Sequence, residues 1–365
     1  MENFAFVLHP LEAMDFARKY SIARKISPTI LEGILKYIPP IKVSHISGIS
    51  SAYSQAEGWF IACPLTSRQM IDLPEPYVIN KIIKAGRLAE KMGAKILGLG
   101  AFTSVVGDAG ITIAKNLDIP TTTGNSYTVA TAIEGTKKAA QIMGLDLKKA
   151  NVVILGATGS IGAACAQLLA REVKYITLVA RNEFKLEKVA EKIYADFGLA
   201  VRISSNNKMA LKSADIVIAV TSAVDNVIEV DDLKSGAIVC DVARPRNISR
   251  KVAQLRNDIL VIEGGVVEVP GDVDFGFSFG FPEKMAYACM AETMILALEG
   301  RYESFTLGRD LTIRQIEIIS QLAKKHGFQL AGLRSFERAI TDYEINQIKN
   351  NITAARNGKA RRDAG

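Results

Sequence analysis

The hydrophobic rhythm of the chain changes near residue 150. From Asn151 onward, short continuous apolar runs (NVVILGA, YITLVAR, ADIVIAVTS, GAIVCDV and ILVIEGGVV) alternate with helical spacing, notably Ile161 to Arg171 and Glu183 to Phe197. Apolar runs without polar alternation suit strands covered on both faces, and strands separated by helices predict a parallel sheet. Before this stretch, β-like runs (AFVLH, IKVSHISGIS, AEGWFIACP, AKILGLGAF) mix with a helical pattern over Pro76 to Met92, as in a small α/β domain. Gly124 to Met143 predicts a linking helix, capped by Asn125 or Ser126. After the last apolar run comes a glycine-rich aromatic loop, PGDVDFGFSFGFP. A long helix is expected over Pro282 to Leu298, and further helices over about Thr312 to His326 and Leu333 to Asn350.

The fold class is therefore α/β: a Rossmann-type parallel-sheet domain with an N-terminal α/β substrate domain and C-terminal helices. The expected boundaries are 1–143, 144–270 and 271–350, with a disordered basic tail over 351–365 that holds Arg356, Lys359, Arg361 and Arg362. An apolar fraction of 48% with 23% charged residues supports real cores. No apolar run is long enough to span a membrane, and the amino terminus carries acids early, so a cytoplasmic protein is expected. The net charge of +7 lacks the patterned basic face that nucleic acid binding needs. Cys63, Cys165, Cys240 and Cys289 are scattered without CxxC spacing, and with only His9, His45 and His326 beside them no metal site is expected.

The segment VVILGATGSIG carries the first chemistry. A pyrophosphate needs backbone N–H groups at a helix amino terminus and glycines where a Cβ would block the turn. Gly156, Ala157, Thr158, Gly159, Ser160, Ile161 and Gly162 supply that turn between an apolar strand and a helix. The spacing is GxxGxxG rather than GxGxxG, so the strand and helix around it carry the inference. The second strand ends in Arg181 with no acid until Glu183, which favours a 2′-phosphate and hence NADPH. Arg181 as a solvated surface residue is the alternative.

Several separate motifs fall in one order: LGAFTSVV, TTTGNSYTVATAI, VVILGATGSIG, LVARN, EGGVVE, DVD, EKMAYACMAETMILALEG, LGRDLTI and KKHGFQ. From about Gly93 to Gln329 the chain thereby closely resembles the cyanobacterial long-chain acyl-acyl carrier protein reductases. The resemblance implies NADPH-dependent reduction of a long-chain acyl thioester, from acyl carrier protein or coenzyme A, to a fatty aldehyde. It also implies that Cys289 carries the acyl group. Judged by its surroundings alone, Cys289 is less distinctive: it lies about two turns inside the expected helix, where packing is the ordinary role of cysteine. Neither Lys284 nor Glu292 is an evident base for it.

A more distant resemblance, carried by GNSYT, ARN and the TSA that begins at Thr221, is to shikimate dehydrogenases, and CDVARPRNI is similar to glutamyl-tRNA reductases. These imply that Thr221 borders the cofactor and that Asn125, Ser126 and Thr128 face substrate as candidate oxyanion donors. A helix cap with solvated neighbours is the equal alternative. GFSFGFP reads either as an acyl-channel wall or as an apolar loop packed on the core, and Asp272 and Asp274 as loop carboxylates. Two other functions fit the same scaffold, namely an NADP-dependent alcohol or hydroxy-acid dehydrogenase and a non-catalytic dinucleotide-binding protein.

Overall fold

The computed structural model describes residues 2–223 and 227–363, the side chains of 18, 21–22 and 356–363 excepted. In chain order, the first stretch runs β1 (Glu2–Leu8), α1 (Pro28–Leu35), β2 (Ile41–Ser50), β3 (Gln55–Ala62), α2 (Ser67–Asp72) and α3 (Glu75–Lys91). Next come β4 (Leu97–Leu99), α4 (Ile111–Lys115), β5 (Thr121–Thr122) and α5 (Asn125–Met143). The parallel-sheet stretch holds β6 (Asn151–Leu155), α6 (Ser160–Leu169), β7 (Tyr175–Val179), α7 (Glu183–Phe197), β8 (Arg202–Ser204), α8 (Asn207–Leu211), β9 (Ile216–Ala219), β10 (Ile238–Asp241), α9 (Arg250–Leu255) and β11 (Leu260–Glu263). The chain ends with β12 (Val266–Glu268), β13 (Gly271–Asp274), β14 (Met285–Tyr287), α10 (Ala288–Leu298), α11 (Ile313–His326), β15 (Gln329–Leu330), β16 (Arg334–Ser335), β17 (Arg338–Ala339) and α12 (Asp342–Asp363).

Two compact units result, and both are discontinuous in sequence: residues 1–130 with 266–331, and residues 131–265 with 332–365. The segment expected as a separate helical region, 271–350, is therefore not a region of its own. Its first part completes the amino-terminal unit and its last part joins the parallel-sheet unit. Helix α5 carries the chain from one to the other.

The first unit has a six-stranded mixed sheet, ordered β13-β2-β3-β1-β4-β5. Strand β1 lies parallel to β3 and β4, β2 runs antiparallel to β3, and β13 pairs antiparallel with β2. Side chains alternate faces along a strand. Phe4 and Phe6 of β1, with Phe60 of β3, accordingly share one core with Ala291, Met294, Ile295 and Leu298 of α10. Helix α3 packs on the same two strands through a face that includes Val78, Ile82 and Ala85. Apolar residues fill nearly every position of α10, as expected of a helix buried all round.

Helix α10 begins six residues later than the periodicity suggests. Pro282 is followed by Lys284 at φ +62°, and Met285–Tyr287 then pair as a strand with Val266–Glu268. The apolar spacing of MAYA fits either state, and pairing with β12 decides for strand. Similarly, the helix expected from Leu333 starts only at Asp342, because 334–339 form a hairpin. The Phe336–Glu337 turn of that hairpin has positive φ at both residues and is tied down in its own unit: the Glu337 N–H donates to Glu263 Oε2 at 3.0 Å. Arg246 pairs with both glutamates. The α12 backbone continues to Asp363, and the side chains of the basic residues Arg356, Lys359, Arg361 and Arg362 lie outside those described.

The second unit has a wholly parallel sheet, ordered β11-β10-β9-β6-β7-β8. This is the doubly wound Rossmann order, whose reversal between β6 and β9 opens a crevice at the strands' carboxyl ends.

Candidate functional site

At that reversal, β6 passes through the glycine turn into α6. Gly156 adopts φ +84°, and its N–H and that of Ala157 both donate to Val179 O, at the end of β7. A Cβ on Gly162 would stand 2.4 Å from Gly156 O. The turn can close only with glycine there, which leaves the first N–H groups of α6, from Ser160 onward, at the crevice. These residues fit a dinucleotide pyrophosphate. Arg181 is exposed two residues beyond β7.

Thr221, just past β9, completes the edge. A Cβ on Gly156 would lie 3.0 Å from Thr221 N. Asn247 clamps the Thr221 backbone, accepting its N–H at 3.0 Å and donating to its carbonyl at 3.4 Å. Asp241 in turn accepts N–H bonds from Ala243, Asn247 and Ile248. Burial pushes the Asp241 carboxyl up to about 6, against the opposing pull of Arg244. Neither Asn247 nor Asp241 stood out in the sequence, although both lie within CDVARPRNI.

The second cluster lies in the first unit, where the segment after β5 meets the start of α10. Cys289 is the second residue of that helix, not a residue two turns inside it. The first N–H groups of a helix have no intrahelical acceptor and carry its partial positive charge, so a negative sulfur is stabilised there. Cys289 is half-buried, whereas Cys63, Cys165 and Cys240 are buried. Burial pushes the thiols of Cys63 and Cys240 up to about 12, and that of Cys165 upward as well.

Gly124 holds the segment after β5 against Cys289. It has φ +72°, and a Cβ on it would fall 2.3 Å from Cys289 Cα. Glu292, one turn further along α10 and fully buried, anchors the same segment. Its Oε1 accepts the Thr122 hydroxyl at 2.6 Å, and its Oε2 accepts the Ser126 hydroxyl at 2.7 Å and the Tyr127 N–H at 2.9 Å. Since Ser126 gives its one proton to Glu292, the 2.7 Å contact with Thr306 has the Thr306 hydroxyl as donor. The Thr306 N–H closes the network on Thr122 Oγ1 at 3.1 Å.

Two candidate oxyanion donors thus have their hydroxyl protons engaged within the protein: Ser126 on Glu292, and Thr128 on Gly124 O at 2.9 Å. Asn125, buried at the first position of α5, is held in the same segment. The sequence signal for Glu292 was an acid inside an otherwise apolar run, AYACMAETMILAL. A buried charge of that kind requires partners.

The aromatic loop before α10 forms a chain of rings. Phe60 stacks on Phe275 at 6.0 Å and meets Phe279 edge-on at 5.6 Å, Phe279 meets Phe281 at 6.1 Å, and Phe281 meets Tyr287 at 4.7 Å. Phe277, Phe279, Phe281 and Tyr287 are only partly buried, so the row leads from the core to within two residues of Cys289. Asp272 and Asp274 are exposed loop acids, Asp272 paired with Lys284 at 2.8 Å. Among the described residues, no group of three or more His, Cys, Asp or Glu is placed to hold a metal ion. No helix of the described residues is long and apolar enough to cross a membrane.

Comparison with known proteins agrees with this division. The shikimate/quinate 5-dehydrogenase family profile matches residues 137–262, most of the parallel-sheet unit. Aminotransferase PigE of a Serratia strain is 28% identical over 95% of this chain, which spans only 42% of that protein. Glutamyl-tRNA reductase of Flavobacterium psychrophilum is 25% identical over 56% of this chain and 51% of its own. The long-chain acyl-[acyl-carrier-protein] reductase of Synechococcus elongatus is 30% identical over 80% of this chain and 87% of its own length. With its Rossmann unit and glycine turn, the chain is an NAD(P)-dependent oxidoreductase of the wider shikimate dehydrogenase and glutamyl-tRNA reductase group, and within it belongs to the family of long-chain acyl-[acyl-carrier-protein] reductases.

Proposed function

We propose that this protein uses NADPH to reduce a long-chain acyl thioester to a fatty aldehyde through an acyl group carried on Cys289. The observation that carries the proposal is the position of Cys289: half-exposed in the first turn of α10, beneath the Gly124 segment that Glu292 fixes.

The Cys289 thiolate attacks the thioester carbonyl carbon, and the carbon–sulfur bond to the donor breaks, releasing the donor as a thiolate that takes its proton from water. Exchange of one thioester for another costs little. NADPH, held at the Gly156–Gly162 turn, would supply the hydride that reduces the Cys289-bound thioester at its carbonyl carbon. The resulting hemithioacetal collapses, its carbon–sulfur bond breaks, and aldehyde and Cys289 thiolate separate. Backbone N–H groups of the first turn of α10, with Asn125 as the candidate side chain, stabilise the carbonyl oxygen as negative charge develops there. The partly buried aromatic row from Phe275 to Tyr287 offers an apolar wall for the acyl chain. Arg181 selects the 2′-phosphate of NADPH. The donor is acyl carrier protein, as in the name of the Synechococcus relative, or coenzyme A.

The test is incubation of the pure protein with labelled acyl-acyl carrier protein or acyl-coenzyme A in the absence of NADPH. A hydroxylamine-sensitive adduct should form and be absent in Cys289→Ala. An adduct that survives the substitution, or fails to form with either donor, removes the mechanism. Oxidation of NADPH without an adduct points instead to a dehydrogenase of alcohols or hydroxy acids.

A further inference from the structure

Asn247 brackets the segment that follows β9. Its Oδ1 accepts the Thr221 N–H at 3.0 Å and its Nδ2 donates to the Thr221 carbonyl at 3.4 Å, so one side chain fixes both polar groups of that residue's backbone. Its own carbonyl accepts the N–H groups of Val227, at 2.9 Å, and Ile228, at 3.2 Å. A single fully buried residue therefore holds the segment at Thr221 and again at Val227 and Ile228. Thr221 itself is half-buried at the crevice, with its nitrogen 3.0 Å from the place where a Cβ on Gly156 would stand.

Asn247 is in turn held by Asp241, at the end of β10. One carboxylate oxygen accepts the N–H groups of Asn247 and Ile248, and the other accepts that of Ala243. A carboxylate offers acceptors alone, whereas the protonated acid must place a hydrogen where one of these N–H groups points. Burial raises the Asp241 pKa to about 6, so the carboxylate is present above that pH and lost below it. Arg244, on the loop that follows, favours the ionised form. Glu263, the in-register neighbour on β11, is itself bonded to Arg244 and Arg246. Ala219, in register on β9, carries no charge, and the Cys240 thiol, pushed up to about 12, stays neutral.

We infer that Asp241 and Asn247 are positioning residues for the dinucleotide: their hydrogen bonds set the Thr221 backbone against the Gly156 turn, and protonation of Asp241 loosens that wall and weakens cofactor binding. The inference rests on the cofactor lying at the glycine turn and is independent of the reaction at Cys289.

Calorimetric titration of the pure protein with NADP+ at about pH 7.5 and about pH 5.5 tests this. The 2′-phosphate takes up a proton of its own near pH 6, so the change with pH is compared between proteins. Asn247→Ala should raise the Kd about five- to tenfold at the higher pH, as expected for a lost hydrogen bond. Asp241→Asn keeps an oxygen for the Asn247 and Ile248 N–H groups but cannot take up the proton, and should bind within about threefold of wild type at the higher pH. Between the two pH values the wild-type Kd should rise about threefold or more beyond the rise in either variant. No binding by the wild type at either pH overturns this inference and the cofactor reading together. An unchanged Kd in Asn247→Ala, or an equal rise with falling pH in wild type and Asp241→Asn, overturns this inference alone.

Discussion

Gly124 touches Cys289 so closely that no side chain fits between them: a Cβ there would approach Cys289 Cα to 2.3 Å and Cβ to 2.6 Å. The left-handed backbone at φ +72° adds a second requirement for glycine. Gly124→Ala therefore has to displace either the segment after β5 or the start of α10. A loss of about 2 kcal/mol or more is expected from backbone strain and overpacking together. Acyl-adduct formation should fall further than stability does, because the displaced atoms carry the thiol. Urea unfolding and the amplitude of the labelled adduct measure the two effects separately.

Glu292 accepts three hydrogen bonds and is fully buried, so its replacements should rank by how many donors they leave without an acceptor. Glu292→Gln keeps the shape and one oxygen, and Thr122 can turn its hydroxyl to accept from the new amide. Glu292→Ala leaves two hydroxyls and the Tyr127 N–H to be satisfied by water or by nothing. About 1 kcal/mol is expected for Gln and ~3 kcal/mol or more for Ala. Thermal unfolding should give that order, and the rate of Cys289 alkylation, followed by mass spectrometry, should change in parallel. Equal stabilities for Gln and Ala would mean that the network does not hold the segment.

Much of this was legible in the sequence, though unevenly. The parallel sheet and its glycine turn were clear because continuous apolar strands and a strand–glycine–helix junction each admit few physical solutions, and α7 lies over Glu183–Phe197 as its periodicity indicates. The start of α10 was not legible. MAYA can serve a helix or a strand, and only pairing with Val266–Glu268, outside its local sequence, makes it β14. That one shift moves Cys289 from a helix interior to a helix start and changes what its surroundings can do. The partners of Glu292 were hidden for a similar reason, since Thr122, Ser126 and Tyr127 are remote from it in sequence and meet it only in the folded unit.

Arg181 lies beyond the end of β7, beside the turn whose Gly156 and Ala157 N–H groups bond to Val179 O. In the proposed role its guanidinium bonds the 2′-phosphate, an interaction NADH cannot make. Arg181→Ala should raise the KM for NADPH about 10- to 100-fold, the worth of a charge-assisted hydrogen bond, and leave the KM for NADH nearly unchanged. Steady-state kinetics with both cofactors measures this. An unchanged NADPH-to-NADH ratio would return Arg181 to the role of a solvated surface residue.

His9, at the carboxyl end of β1, should govern part of the acid stability. Its Nε2 accepts the Phe102 N–H at 3.1 Å, which places the ring proton on Nδ1, donated to Pro10 O at 2.9 Å. Burial lowers its pKa from the ordinary 6.5 to about 4, because the charged ring would lose its hydration. The unfolded chain binds the proton near pH 6.5 and the folded one only near pH 4. Its contribution is thus fully present above pH 6.5 and is lost progressively as the pH falls through that window. The size is about 3 kcal/mol at most. Urea midpoints between pH 7 and pH 4 should fall more steeply for the wild-type protein than for His9→Gln, which cannot take up the proton. Parallel acid limbs would show that His9 does not resist protonation in the fold.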